Sequence, residues 1–99
     1  MTTPFVQIIE CETTKVDQIL ALDREWEAAT EGKRTLRRSM VLRDRNKPNR
    51  YLVLAFFDSY EAAQENSKLP ETDAFATRYS ALVDGPIEFY DMDVVDDRS

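Results

Sequence analysis

The chain has no histidine among its 99 residues. That absence removes the Ser-His-Asp and Cys-His catalytic arrangements and any histidine-ligated haem. A zinc site would have to be built from carboxylates or one cysteine, an improbable donor set for that metal. Glycine is nearly as scarce, with only Gly32 and Gly85, so there is no Gly-rich loop to cradle a phosphate. The expectation is a chain with no metal and no cofactor. The single cysteine, Cys11, cannot close an internal disulfide. It falls in an apolar strand pattern and reads as a buried structural thiol rather than a nucleophile. No apolar run approaches the roughly 18 residues of a membrane span. The start MTTPFVQ lacks the charged and then apolar stretch of a secretory leader. A reducing cytoplasmic location fits these features. The net charge is −6 and the isoelectric point about 4.6. General binding to nucleic acid or to an anionic membrane is therefore disfavoured.

What the chain does contain suits one small domain, residues 1–99, with 42% apolar and 32% charged residues. Two stretches, Phe5 to Cys11 (FVQIIEC) and Tyr51 to Phe57 (YLVLAFF), are apolar on both sides of a strand. Successive strand side chains point to opposite faces. Val6 and Ile8 thus oppose Phe5, Ile9 and Cys11, and Leu52, Leu54 and Phe56 oppose Tyr51, Val53, Ala55 and Phe57. Between them, Val16, Ile19, Leu22, Trp26 and Ala29 recur at helical spacing, with Leu20 widening the stripe. Thr13 or Thr14 can cap this helix, and Thr14 with Asp17 resembles a capping box. The helix is predicted to run to about Thr30, with Gly32 placed to end it.

Residues 34–43 (RTLRRSMVLR) read as a half-polar edge strand, with Leu36, Arg38, Met40 and Leu42 on one face. The turn DRNKPN joins it to the strand at 51–57 as a hairpin. Ser59 can cap a second helix, Pro70 interrupts it, and a third helical segment covers about 71–83. Residues 87–95 (IEFYDMDVV) read as the last strand. The order βαββαβ predicts an α+β, ferredoxin-like domain with a four-stranded antiparallel sheet, the first and third strands central. Its helices can cover one face only. The other face predicts a homodimer, two sheets packed together about a two-fold axis.

The stretch FFDSYEAAQENSKLPETDAF, after YLVLA and before GPIEFYDMDVV, resembles the dimeric α/β-barrel superfamily, and within it the antibiotic-biosynthesis-monooxygenase-like domains. The resemblance covers about residues 4–95. It implies two subunits forming a dimeric α/β barrel and a ligand cavity between sheet and helices. It also implies a cofactor-independent monooxygenase, or a related enzyme, acting on a small aromatic or polyketide-like molecule. The alternative is a non-catalytic ligand-binding or regulatory dimer; a third reading is a structural partner with a filled core. The haem-degrading branch uses an Asn on strand one, a Trp near the end of strand three and a later His. Here the matching strand positions hold Ile9 and Phe57, and no His exists, so haem degradation is not expected. The quinone-forming branch often carries a His after strand three, where this chain offers Asn66 and Glu71.

The pocket residues expected are Trp26, Arg37, Phe57, Asn66, Phe75 and Tyr79. Trp26, Phe57, Phe75 and Tyr79 line a cavity or fill a core. Asn66 points into the pocket or ends the short second helix. Arg37 and Arg38 lie on opposite strand faces, so one is expected on the covered face, paired with a carboxylate or an anionic ligand. Asn66, Tyr79, Trp26 or Arg37 would stabilise a substrate anion, but none is an obvious base at neutral pH. Eight cations crowd positions 33–50, opposed locally by Asp44 alone, while acids gather at the C-terminus. This basic hairpin is either a solvated surface or the mate of the partner subunit's acidic end.

Overall fold

The computed structural model describes residues 3–99. Its elements run β1 (Phe5–Glu12), α1 (Val16–Ala29), β2 (Arg38–Arg43), β3 (Arg50–Phe57), α2 (Tyr60–Ser67), α3 (Pro70–Ser80) and β4 (Glu88–Asp93). The four strands form one antiparallel sheet in the order β2-β3-β1-β4. The two strands with apolar residues on both sides are the central pair, in register from Phe5 opposite Phe57 to Glu12 opposite Arg50. The charged strands are the edges. This is the predicted ferredoxin-like α+β architecture.

The sheet has one covered and one open face. Phe5, Cys11, Tyr51 and Phe57 are buried under the helices together with Ile19, Leu22 and Trp26 of α1 and Tyr79 of α3. Alternation sends Val6, Ile8, Leu52, Leu54 and Phe56 to the other side, where Leu42, Tyr90 and Met92 are 40–45% exposed. No helix among the described residues packs there.

Several boundaries differ from expectation. Lys15, not Thr14, flanks the start of α1, and no side chain caps it there. Instead the buried Thr13 hydroxyl accepts from the Lys15 N–H and donates to the Leu82 carbonyl, so one residue fixes the helix entry and the loop after α3. Pro70 does not only interrupt: it is the first residue of α3, where a missing N–H costs nothing. Strand β2 starts at Arg38 rather than residue 34. Thr35 is captured by α2, its N–H donating to the Asn66 side chain and its hydroxyl to the Ala62 carbonyl. Leu36 therefore leaves the Met40–Leu42 face and turns beneath the helices. Strand β4 is the shorter 88–93, and all its residues are exposed.

Candidate functional site

Between the sheet and the helices lies a cavity of about 140 Å³. Its floor is Gln7 and Ile9 of β1, Val53, Ala55 and Phe57 of β3, and Ser39 of β2. Small side chains at Ser39 and Ala55 leave the space that larger ones would fill. The roof is Asp23, Trp26 and Glu27 of α1, with Asn66, Thr72, Phe75 and Tyr79 from α2 and α3. Three aromatic rings make the wall. Phe75 sits 6.1 Å from Trp26 and 5.5 Å from Tyr79, centroid to centroid.

Most polar atoms around the cavity are already engaged. The Trp26 indole N–H donates to Thr72 Oγ1 at 3.0 Å, so Trp26 offers its ring and not a free donor. The Tyr79 hydroxyl lies 3.6 Å from Cys11 Sγ. Burial, then Cys11, then the charge of Asp23 push its pKa far above the ordinary phenol range, so it stays protonated. Asn66, 7% exposed, spends Oδ1 on the Thr35 N–H. Its amide nitrogen has no protein acceptor among the described residues and remains able to donate.

Asp23 is different. No side chain hydrogen-bonds to its carboxylate among the described residues, although it is half-buried. Burial lifts its pKa from the ordinary 3.8 to about 6; Glu27, one turn on, adds to the shift and Arg24 opposes it.

The structure brings Trp26, Phe57, Asn66, Phe75 and Tyr79 around one cavity. Arg37 is not among the lining residues. Its backbone N–H continues the hairpin by donating to the Phe56 carbonyl. Its guanidinium forks onto Asp58 Oδ2 at 2.6 and 2.9 Å in the open. Arg38 lies over the Phe56 ring at 5.8 Å, and so does not serve the covered face either. The pairing with a carboxylate is real, but it is a surface pair outside the cavity. The sequence reading passed over Asp23. The signal was there: residues 19, 23, 26 and 30 follow one helical stripe, and three of those positions are buried.

The basic hairpin is largely answered within its own subunit. Arg50 bridges Glu10 and Asp44, Lys47 meets Glu12, and Lys33 meets Glu71. Apart from the local Asp44, these acids come from β1 and α3, which linear proximity hides. Arg43 lies over the Tyr51 ring at 5.7 Å.

No protein-family model matches the chain, and no curated protein matches it. Solved structures do. A variant of SnoaB, a cofactor-independent oxygenase from Streptomyces nogalater, superposes with a TM-score of 0.81 over 97% of both chains at 16% identity. A proposed antibiotic biosynthesis monooxygenase from Caulobacter crescentus gives 0.80 at 12% identity, covering 96% of this chain and 92% of that one. Rv0793 from Mycobacterium tuberculosis gives 0.77 at 14% identity, covering 98% and 100%. The four-stranded antiparallel sheet with β1 and β3 central and helices on one face is thus a fold this chain shares with SnoaB and with proteins described as antibiotic biosynthesis monooxygenases.

Proposed function

We propose that the chain is a cofactor-independent monooxygenase acting on the phenolic ring of a small aromatic or polyketide-like molecule. The observation that carries this reading is the cavity: apolar, walled by three aromatic rings and supplied with few free polar groups. A dry cavity of about 150 Å³ accepts one benzene ring. The space here, about 140 Å³, suits one reacting ring, with the rest of a larger molecule extending through the mouth. The fold shared with a cofactor-independent oxygenase supports the same reading.

The chemistry asks little of a protein beyond shelter and charge control. The phenol loses its O–H proton, and the phenolate gives one electron to O₂. The phenoxyl radical and superoxide then couple, forming a C–O bond at the para carbon. The peroxide takes up a proton, the para hydrogen is lost as a proton, and the O–O bond breaks so that the outer oxygen leaves as water while the inner one becomes the new carbonyl. Phenol plus O₂ gives quinone plus water; one oxygen atom stays on the ring and the other is fully reduced. The Asn66 amide N–H and the protonated Tyr79 hydroxyl are the donors available to the phenolate oxygen. The aromatic wall keeps bulk water from the radical pair.

The working unit in this proposal is a homodimer in the cytoplasm. Each large apolar side chain left wet on the open sheet face loses roughly 1.5–3 kcal/mol of burial. A second copy laid face to face removes that loss for both. The buried free thiol of Cys11 suits a reducing compartment.

Oxygen uptake with a panel of anthrones and hydroquinones tests the activity. Turnover should fall when Asn66 or Tyr79 is replaced. Ligands that bind without any oxygen uptake would instead make the chain a non-catalytic ligand-binding or regulatory dimer.

A further inference from the structure

We propose that Asp23 is the proton acceptor of this cavity, the carboxylate that receives the O–H proton of a single-ring phenolic ligand. The inference rests on the cavity reading above and adds the group that chemistry lacks. Among the described residues, two carboxylates line the space, Asp23 and Glu27, both on α1. Glu27 is exposed to water. Asp23 is half-buried on the same stripe as Ile19 and Trp26, and no side chain among the described residues is bonded to it. A carboxylate ordinarily recruits an arginine, a lysine or an N–H when it leaves water. This one faces an apolar cavity instead, and a ligand hydroxyl is the partner that geometry leaves to it.

The charged and titratable groups around Asp23 fit the role. Glu27 and Arg24 flank it on α1 with opposite effects. From α3, Tyr79 is close enough to feel its charge, and Cys11 of β1 stands behind that hydroxyl. Tyr79 holds its own proton and so does not compete as a base. A base works best when its pKa approaches the working pH. Burial moves Asp23 in that direction, to about 6, while leaving it ionised at neutrality. The Asn66 amide lines the same cavity and is a donor for the oxygen whose proton Asp23 takes.

Calorimetric titration with two ligands of equal girth tests this without relying on turnover. Toluene reports the apolar cavity. Its hydroxylated counterpart 4-methylphenol, with a pKa of about 10, stays neutral between pH 5 and 8 and reports the proton acceptor. The expected result is toluene binding that is flat with pH. Binding of 4-methylphenol should tighten as pH rises through about 6. A charge-assisted hydrogen bond is roughly twice as strong as a neutral one, so the gain should be about tenfold. Asp23→Asn should remove the pH dependence and leave toluene binding intact. Glu27→Gln should move the inflection to lower pH, because it removes the neighbouring negative charge. If 4-methylphenol binds Asp23→Asn with the same pH profile as the wild type, the assignment of Asp23 is wrong while the cavity stands. If neither ligand binds the wild type, the cavity reading and this assignment fall together. Binding as expected with no oxygen uptake keeps Asp23 as a recognition group and overturns its part in a monooxygenase.

Discussion

Asp23→Asn should make the protein more stable at neutral pH, and by an amount that depends on pH. The unfolded chain ionises Asp23 near 3.8, whereas the folded chain holds it protonated up to about 6. The fold therefore prefers the neutral acid. Below about pH 4 both states carry the proton and the residue costs nothing. Between about pH 4 and 6 the unfolded state gains charge that the folded state resists, and stability falls. Above about pH 7 the folded side chain is ionised and the penalty is constant. A two-unit shift corresponds to roughly 2.7 kcal/mol. Asp23 is only half-buried, so solvent screening reduces this to about 1–2 kcal/mol. The isosteric amide escapes the penalty. Urea unfolding of both proteins at pH 4 and pH 7.5 should show curves that nearly coincide at the lower pH and separate by about 1–2 kcal/mol at the higher. In thermal unfolding, each kcal/mol should appear as about 4–8 °C. A destabilised variant at pH 7.5, or a gap that does not change with pH, would refute the reasoning that burial without a partner strains this carboxylate. Such an outcome would mean that Asp23 has a favourable bond in the fold.

Three further outcomes follow from the same geometry. Leu54→Asp puts a charge at the centre of the open sheet face without touching the helix-covered core; sedimentation equilibrium should show a folded monomer in place of the proposed dimer. Thr13→Val leaves the Leu82 carbonyl and the Lys15 N–H without their bond, and chemical unfolding should register a loss of about 1–3 kcal/mol. If the proposed dimer is held by apolar burial, raising the salt concentration should leave its dissociation constant nearly unchanged; the hairpin cations Lys47 and Arg50 already have partners in their own chain.

The legible part of this molecule was the part written in periodicity. A strand apolar on both sides must be sandwiched, and only β1 and β3 qualify, so the order of the sheet followed. The aromatic wall was legible for the same reason, because Trp26, Phe75 and Tyr79 sit on helical stripes. Boundaries were less so. The Thr35–Asn66 bond that shortens β2 joins residues 31 apart in the chain, and no local pattern announces it. Arg37 misled because strand alternation was extended past the point where α2 captures the chain. Asp23 was missed for a subtler reason. Read singly, an aspartate in a helix is a solvated charge; only its place on a buried stripe marks it. Its consequence depends on what does not stand opposite it, and a sequence lists residues, not gaps.

The cavity and Asp23 together weigh against the reading of a filled structural core. An empty space of about 140 Å³ would, if fully dry, cost on the order of 3 kcal/mol at about 24 cal/mol per Å³. Its opening to solvent lowers that figure but not its sign. The desolvated carboxylate adds its own cost at the same spot. A structural domain gains nothing from either, and one substitution could relieve the first. Ala55 lies on central β3 and faces the cavity. Ala55→Leu adds three carbon atoms there, each worth about 0.8 kcal/mol when buried. Some of that is returned in rotamer restriction and crowding, leaving an expected gain of about 1–2 kcal/mol. The same variant should lose binding of toluene and 4-methylphenol, and with it oxygen uptake. A more stable protein that no longer binds would show that the space is kept open for a ligand at the expense of the fold. A destabilised Ala55→Leu would show that the space is too small to hold even an isobutyl group, and the single-ring substrate would have to be abandoned with it.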